Sequence, residues 1–140
     1  MKEEEIKKLA EGSIKKWKGC LGFSGWKISA QVTAFKRTDD FLQDGDIIVD
    51  HPQKQATILI GTILKAPVEE VVVHELIHLM LWPLDKKMIS IIKKLPLAEQ
   101  KREEEKFLGK LENVTAQITQ AVLRDSPGKK YKKCCYPKFG

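Results

Sequence analysis

His74, Glu75 and His78 stand in the order H-E-x-x-H inside the run Val71-Val-Val-His-Glu-Leu-Ile-His-Leu-Met80. On a helix, residues four apart share a face with Cβ atoms about 6 Å apart, so both imidazoles can address one metal ion. Glu75, one residue on, points round the side of that pair. It is better placed to hold a water at the metal than to ligate it. Zn²⁺ with three protein ligands keeps a fourth position open and lowers the pKa of a water there to about 7. A carboxylate beside that water is a general base. These residue types at this spacing therefore offer metal-assisted hydrolysis of a peptide bond. A short motif of this kind also arises by chance, but its setting argues for a metal. Outside the motif, every residue from Val71 to Leu81 is apolar, and a helix apolar all round belongs in the interior of a domain. Burying two imidazoles and a carboxylate there costs several kcal/mol without partners, and a shared cation removes most of that cost.

The chain that must position these groups has 140 residues, the length of one domain with a real core. Charged residues make up 31% and hydrophobic residues 42%, as in ordinary globular proteins. The acidic start Met1-Lys-Glu-Glu-Glu5 has no apolar signal-peptide core, and the apolar run Val71 to Leu84 is too short to span a bilayer. These features predict no membrane partner and a cytoplasmic location. Three cysteines without framework spacing fit a reducing compartment. The net charge of +6 is unevenly spread, with Lys129, Lys130, Lys132, Lys133 and Lys138 crowded near the end. The expected division is a single domain over 1–126 and a basic tail over 127–140.

An α+β fold follows from the periodicities. Ile6, Leu9, Ala10, Ile14 and Trp17 recur at helical spacing, predicting an amphipathic helix over Glu3 to Lys18, closed by the glycines of Gly19 to Gly25. From Trp26 to Phe35 the pattern alternates, with Trp26, Ile28, Ala30, Val32 and Ala34 on one side. That is a strand, and Lys36 to Asp44 after it reads as a loop. Asp46 to Asp50, a turn at His51 to Lys54, and Ala56 to Gly61 predict a hairpin. Pro67 opens the motif helix, with Glu69 and Glu70 near the positive end of its dipole. Trp82-Pro-Leu-Asp85 is expected to stop that helix, leaving Lys86 to Leu95 as a separate short amphipathic stretch. A long helix is predicted from Leu97 to Leu123.

That long helix is the natural source of a third ligand. Its carboxylates are Glu99, Glu103, Glu104, Glu105 and Glu112. The helical wheel gives an apolar stripe of Phe107, Leu111, Val114, Ile118 and Ala121. Glu104 lies near the middle of that stripe and Glu112 at its edge beside Leu108 and Thr115. The wheel leans slightly to Glu104 and does not decide.

The run around His74, Glu75 and His78, followed some tens of residues later by a carboxylate-bearing helix, resembles the gluzincin metallopeptidases. The likeness is greatest to the small minigluzincins and similar prophage-type proteins, and it spans most of residues 1 to 124. It implies a minimal zincin with an N-terminal helix, a small twisted three-stranded sheet, the motif helix, a glutamate helix and a tail. In such relatives the third ligand opens a Glu-x-x-x-Asp pattern. Glu112-Asn-Val-Thr-Ala-Gln fits that register, which implies Glu112 as the ligand with His74 and His78, and Glu75 as the base. Ala116 stands where the relatives commonly have an aspartate that hydrogen-bonds a ligand histidine. Asn113 and Gln117 are the nearby substitutes.

The resemblance further implies one Zn²⁺ per chain and a peptide or protein substrate added as a strand along Ile47, Ile48, Val49 and Asp50. An oxyanion-stabilising tyrosine or histidine is expected too, for which His51, Tyr131 and Tyr136 are the only remaining residues of those types. Relatives of this kind are latent forms blocked by their C-terminal segments, so a similar use of the tail is implied, with Cys134 or Cys135 able to supply a thiolate to zinc. The alternative function is a catalytically weak zinc-binding regulator whose basic tail contacts nucleic acid or an acidic partner. Clustered lysines are more often merely solubilising, so nucleic acid is the less favoured partner.

Overall fold

A computed structural model describes residues 2–35 and 43–124. Its elements run α1 (Glu3–Cys20), β1 (Lys27–Thr33), β2 (Gly45–Asp50), β3 (Gln55–Gly61), α2 (Val68–Ile92) and α3 (Leu97–Arg124). The fold is α+β, three helices with a small mixed sheet. Sheet order is β1-β3-β2, with β1 parallel and β2 antiparallel to the central β3. The chain thus leaves β1, crosses to the far edge, and returns through a hairpin to the middle. The tail over 127–140, and with it Tyr131, Tyr136, Cys134 and Cys135, lies outside the described residues, as does most of the loop after β1.

Helix α1 carries Glu3, Glu4 and Glu5 in its first turn and Lys18 in its last, complementing the dipole at both ends. Its buried stripe is Ile6, Ala10, Ser13, Ile14 and Trp17. Leu9, expected on that stripe, is half exposed, and Ser13 takes its place inward. The helix ends in a Schellman turn. Gly22 N–H donates to Gly19 O and Phe23 N–H to Lys18 O, while Gly22 adopts φ 87°, a region that favours glycine. Phe23, just beyond, is buried and anchors the exit.

The strands turn one face inward, burying Ala30 of β1 and Ala56, Ile58 and Ile60 of β3 and half-burying Ile47 and Val49 of β2, the alternation expected of a sheet wet on its other side. Between β2 and β3 the turn at His51–Lys54 closes with Lys54 N–H donating to His51 O, and Lys54 O accepts from Lys27 N–H at the start of β1.

Helix α2 is the centre of the molecule and packs against α1, β2, β3 and α3. Val68, Val71, Val72, Val73, Leu76, Ile77 and Leu79 are all buried, so its first half is enclosed on nearly every side. The expected stop at Trp82–Asp85 does not occur: α2 continues through Pro83 to Ile92, absorbing the stretch Lys86 to Leu95 that the sequence suggested was separate. A proline inside a helix costs roughly 3 kcal/mol through a lost hydrogen bond and a ring clash. Here Pro83 is exposed, while Leu81 and Trp82 before it and Ile89 beyond it are half-buried and Ile92 is buried, so tertiary packing carries the helix past it. The turn into α3 is fixed by the Gln100 side-chain amide, which donates to both Lys93 O and Leu95 O. α3 then runs back along α2 over the residues the periodicity gave it. No helix among the described residues is long and apolar enough to cross a membrane.

Lys54 sits at φ 51°, the left-handed region that costs a residue with a Cβ about 1–2 kcal/mol. Glycine there removes that strain but adds freedom to the unfolded chain, worth about 0.5–1 kcal/mol. Lys54→Gly should therefore raise stability slightly, by about 0.5 kcal/mol in urea melts, with the cooperativity unchanged. A clear loss of stability would show that the lysine side chain holds the turn.

Candidate metal centre

His74 and His78 lie on the side of α2 that faces α3, and Glu112 of α3 reaches across to them. The two Nε2 atoms are 3.2 Å apart. Glu112 Oε2 lies 3.1 Å from His74 Nε2, and Oε1 lies 2.8 Å from His78 Nε2. The rings meet nearly edge to face, with centroids 4.8 Å apart. Among the described residues this is the one group of three or more His, Cys, Asp or Glu side chains gathered at metal-binding distance.

This donor set fits a small dication. Ligand bonds of about 2.0–2.1 Å in tetrahedral geometry place neighbouring donor atoms about 3.3 Å apart, within about 0.5 Å of the three observed contacts, two of which use different oxygens of Glu112. Each imidazole can donate to one oxygen of Glu112, but the two Nε2 atoms then face each other at 3.2 Å with no acceptor between them, whereas one cation takes a lone pair from all three groups. The exposure also fits: both histidines are half-buried and Glu112 is open to solvent, so an ion has an entry path.

Glu75 lines the same cleft but is 5% exposed. Burial pushes its carboxyl up to about 8; His74 opposes that rise, and the Asp46 and Glu112 carboxylates add to it. Glu112 is the reverse. Hydrogen bonds from His74 and then His78 hold its carboxyl well below the usual carboxylate range. Two carboxylates in one cleft are thus driven apart, one toward the neutral acid and one toward the permanent anion, an arrangement that separates proton carrier from charge carrier.

Glu104, which the wheel slightly favoured, is exposed on the surface. The stripe itself is rotated from expectation. α3 turns Leu111, Thr115, Ile118, Thr119 and Val122 inward, while Val114 and Ala121 are exposed. Thr115 and Thr119 can be fully buried because their hydroxyls donate back to Leu111 O and Thr115 O, each at 2.7 Å. That rotation puts Glu112 on the flank nearest α2. Asn113 and Gln117 are both exposed, and among the described residues neither forms a hydrogen bond to His74 or His78.

Strand β2 approaches the centre end-on, through residues the sequence did not single out. A Cβ on Gly45 would meet Val71 Cγ1 at 2.6 Å and Glu75 Oε1 at 3.3 Å, so only glycine lets the strand come this close. Asp44 holds the approach from the other side, its Oδ1 accepting from Lys65 N–H at 3.0 Å and its carbonyl accepting from Gly61 N–H at 2.8 Å. Ile47, Ile48, Val49 and Asp50 continue away along the outer edge of the sheet, which pairs with β3 alone. His51 lies past the far end of that strand, about 20 Å from Gly45 at the usual rise. It stacks edge-on to Trp26 at 5.3 Å, which removes it as a residue facing the centre. The cleft at the centre holds about 320 Å³ and extends from His74, Glu75 and Glu112 along α2 and α3 to Glu70 and Gln120. Only a residue's proximity in space marks Gly45, Glu70 and Gln120; none carries a sequence motif.

Two predictions follow from this geometry. Glu112→Ala should lower zinc affinity by at least about 100-fold, since two ligands hold the ion poorly, while Glu104→Ala leaves it within about twofold. Equal losses, read by competition with a chelating dye, would remove Glu112 from the centre. The second concerns pH in the metal-free protein. Glu75 is raised from 4.5 to about 8 in the folded state, so the folded chain holds a proton that the unfolded chain has lost. Its contribution is therefore full below pH 4.5 and is lost as pH rises toward 8. With chelator present, Glu75→Gln should gain stability relative to the parent across that window, by several degrees in Tm near pH 8; parallel curves would show that Glu75 ionises freely. No family model, curated protein or solved structure matches this chain.

Proposed function

We propose that the chain is a zinc-dependent peptidase of the gluzincin kind, with His74, His78 and Glu112 holding the ion and Glu75 acting as general base. The observation that carries this reading is the triangle of two Nε2 atoms and one carboxylate, with sides of 2.8 to 3.2 Å, beside a buried glutamate that makes no part of it. When bound, zinc supplies a Lewis acid that polarises the scissile carbonyl and acidifies a water.

The protein's own groups do the rest. Glu75, on the residue after His74, takes the proton of the attacking water and delivers it to the departing amine. Burial disfavours its charged form and so favours its taking up a proton. Burial of Glu75 against Val71 and Gly45 keeps bulk water from competing for that proton. Glu112, as a carboxylate ligand, would offset part of the charge of the ion. The free edge of β2, which begins at Gly45 beside Glu75, offers main-chain donors and acceptors to an extended peptide. A two-histidine, one-glutamate set with an adjacent glutamate base supports peptide-bond hydrolysis over simple metal storage, because storage has no use for a buried proton acceptor.

The test separates binding from turnover. Glu75→Gln should retain stoichiometric zinc and lose at least about 1,000-fold in cleavage of a casein-derived peptide mixture, because the amide accepts no proton. Cleavage at the parental rate would remove Glu75 as the base. Zinc bound tightly by the parent with no cleavage of any peptide would sink the peptidase reading in favour of a metal-binding regulator.

A further inference from the structure

Two contacts between α2 and α3 bracket an open gap. At one end Glu112 meets His74 and His78. At the other, the Gln120 side-chain amide donates to Glu70 Oε1. On both helices these partners are multiples of four residues apart: Glu70, His74 and His78 on α2, Glu112 and Gln120 on α3. All five therefore lie along facing ridges. Midway on α3, where a side chain would fill the space, stands Ala116. The cleft of about 320 Å³ occupies this gap, with the triad at one end and Glu70 at the other.

The charges that line the gap are unequal. Asp44, Glu70, Glu75 and Glu112 face it with Lys65 as the one lysine or arginine. Two of those carboxylates are committed. Glu112 is engaged by both imidazoles, and Glu75 is buried beneath Gly45. Asp44, in the segment before β2, is tied to the Lys65 backbone. Glu70 alone is held between the two helices: the Gln120 amide of α3 fixes the orientation of its carboxylate without neutralising it. Among the described residues Glu70 has no ion-pair partner within 4.0 Å. A side chain entering from the metal end passes Ala116 and meets an oriented, uncompensated carboxylate one helical turn along.

We infer that this gap is a specificity subsite for the cationic side chain of a lysine or arginine beside the bond to be cut, with Ala116 making the room and Glu70 selecting the charge. The inference rests on the peptidase reading for the position of the bond, but the recognition of a cation is a property of the gap itself. A long aliphatic stem fits between Val71 and Ala116, and its charged end reaches Glu70. Because Glu70 is only half-buried, the selection is modest, about fivefold for an ion pair of this exposure.

The test uses matched peptides that differ at one position flanking the cleaved bond, carrying lysine, arginine, norleucine or glutamate. Zinc-loaded protein should cut the lysine and arginine peptides with kcat/KM about fivefold above norleucine, mainly through KM, and Glu70→Gln should abolish the difference. A second readout needs no turnover: a fluorescent lysine peptide should bind the Glu75→Gln protein more tightly than its norleucine counterpart, and added salt should erase the gap. Ala116→Leu should weaken binding of both long side chains while zinc content stays unchanged. Cleavage with no preference for a cation, or a preference that survives Glu70→Gln, would overturn the subsite and leave the peptidase reading standing. Lysine-selective, Glu70-dependent binding with no cleavage of any peptide would do the opposite. Neither cleavage nor selective binding would overturn both.

Discussion

The structure depends on one conflict inside α2. Its first half is enclosed by α1, the sheet and α3, yet it carries two imidazoles and a carboxylate in the middle of that enclosed stretch. Burial forces each polar group to find its own solution. His74 and His78 turn to the one open flank and share Glu112. Glu75 has no such exit and is driven toward the neutral acid. The rest of the fold can be understood as making those two solutions compatible. β2 closes over Glu75 through a residue with no side chain, and α3 brings the compensating charge to the open flank.

Some of this was legible in the sequence because it rests on local rules. The H-E-x-x-H spacing, the apolar setting of Val71 to Leu81, the alternation along β1, and the turn at His51–Lys54 are each decided within about ten residues. α3 begins at Leu97 as expected, because Pro96 precedes it, and it extends to Arg124, one residue past the expected Leu123. What was not legible depends on partners distant in sequence. The wheel scored Thr115 and Thr119 as polar, although back-bonded hydroxyls let them serve as the innermost residues of α3. The resulting error in the apolar stripe is why the wheel favoured Glu104, and only the family register pointed to Glu112. Gly45 reads as an ordinary loop glycine until Val71 and Glu75 are seen beneath it.

Pro83 shows the same limit in another form. Local rules weigh a proline heavily and are right about its cost. They cannot see that Ile92, nine residues later, is buried. Extending α2 past the proline lengthens the hairpin with α3. Since α3 makes its main contact with α2 alone, that length is also what sets its register against the histidines.

The contact between His74 and Glu112 joins residues 38 apart in sequence. An ion held there would be a cross-link, comparable in topology to a disulfide, closing a loop that contains the second half of α2, the Gln100-capped turn and the first half of α3. Closing a loop of that size removes on the order of 4 kcal/mol of freedom from the unfolded chain. Because α3 packs chiefly on α2, through Thr115, Ile118, Thr119 and Val122, the same ion would add a clasp to a seam that is already packed. Binding of the ion would then be felt first as a stiffening of that hairpin, with the sheet and α1 left as they are.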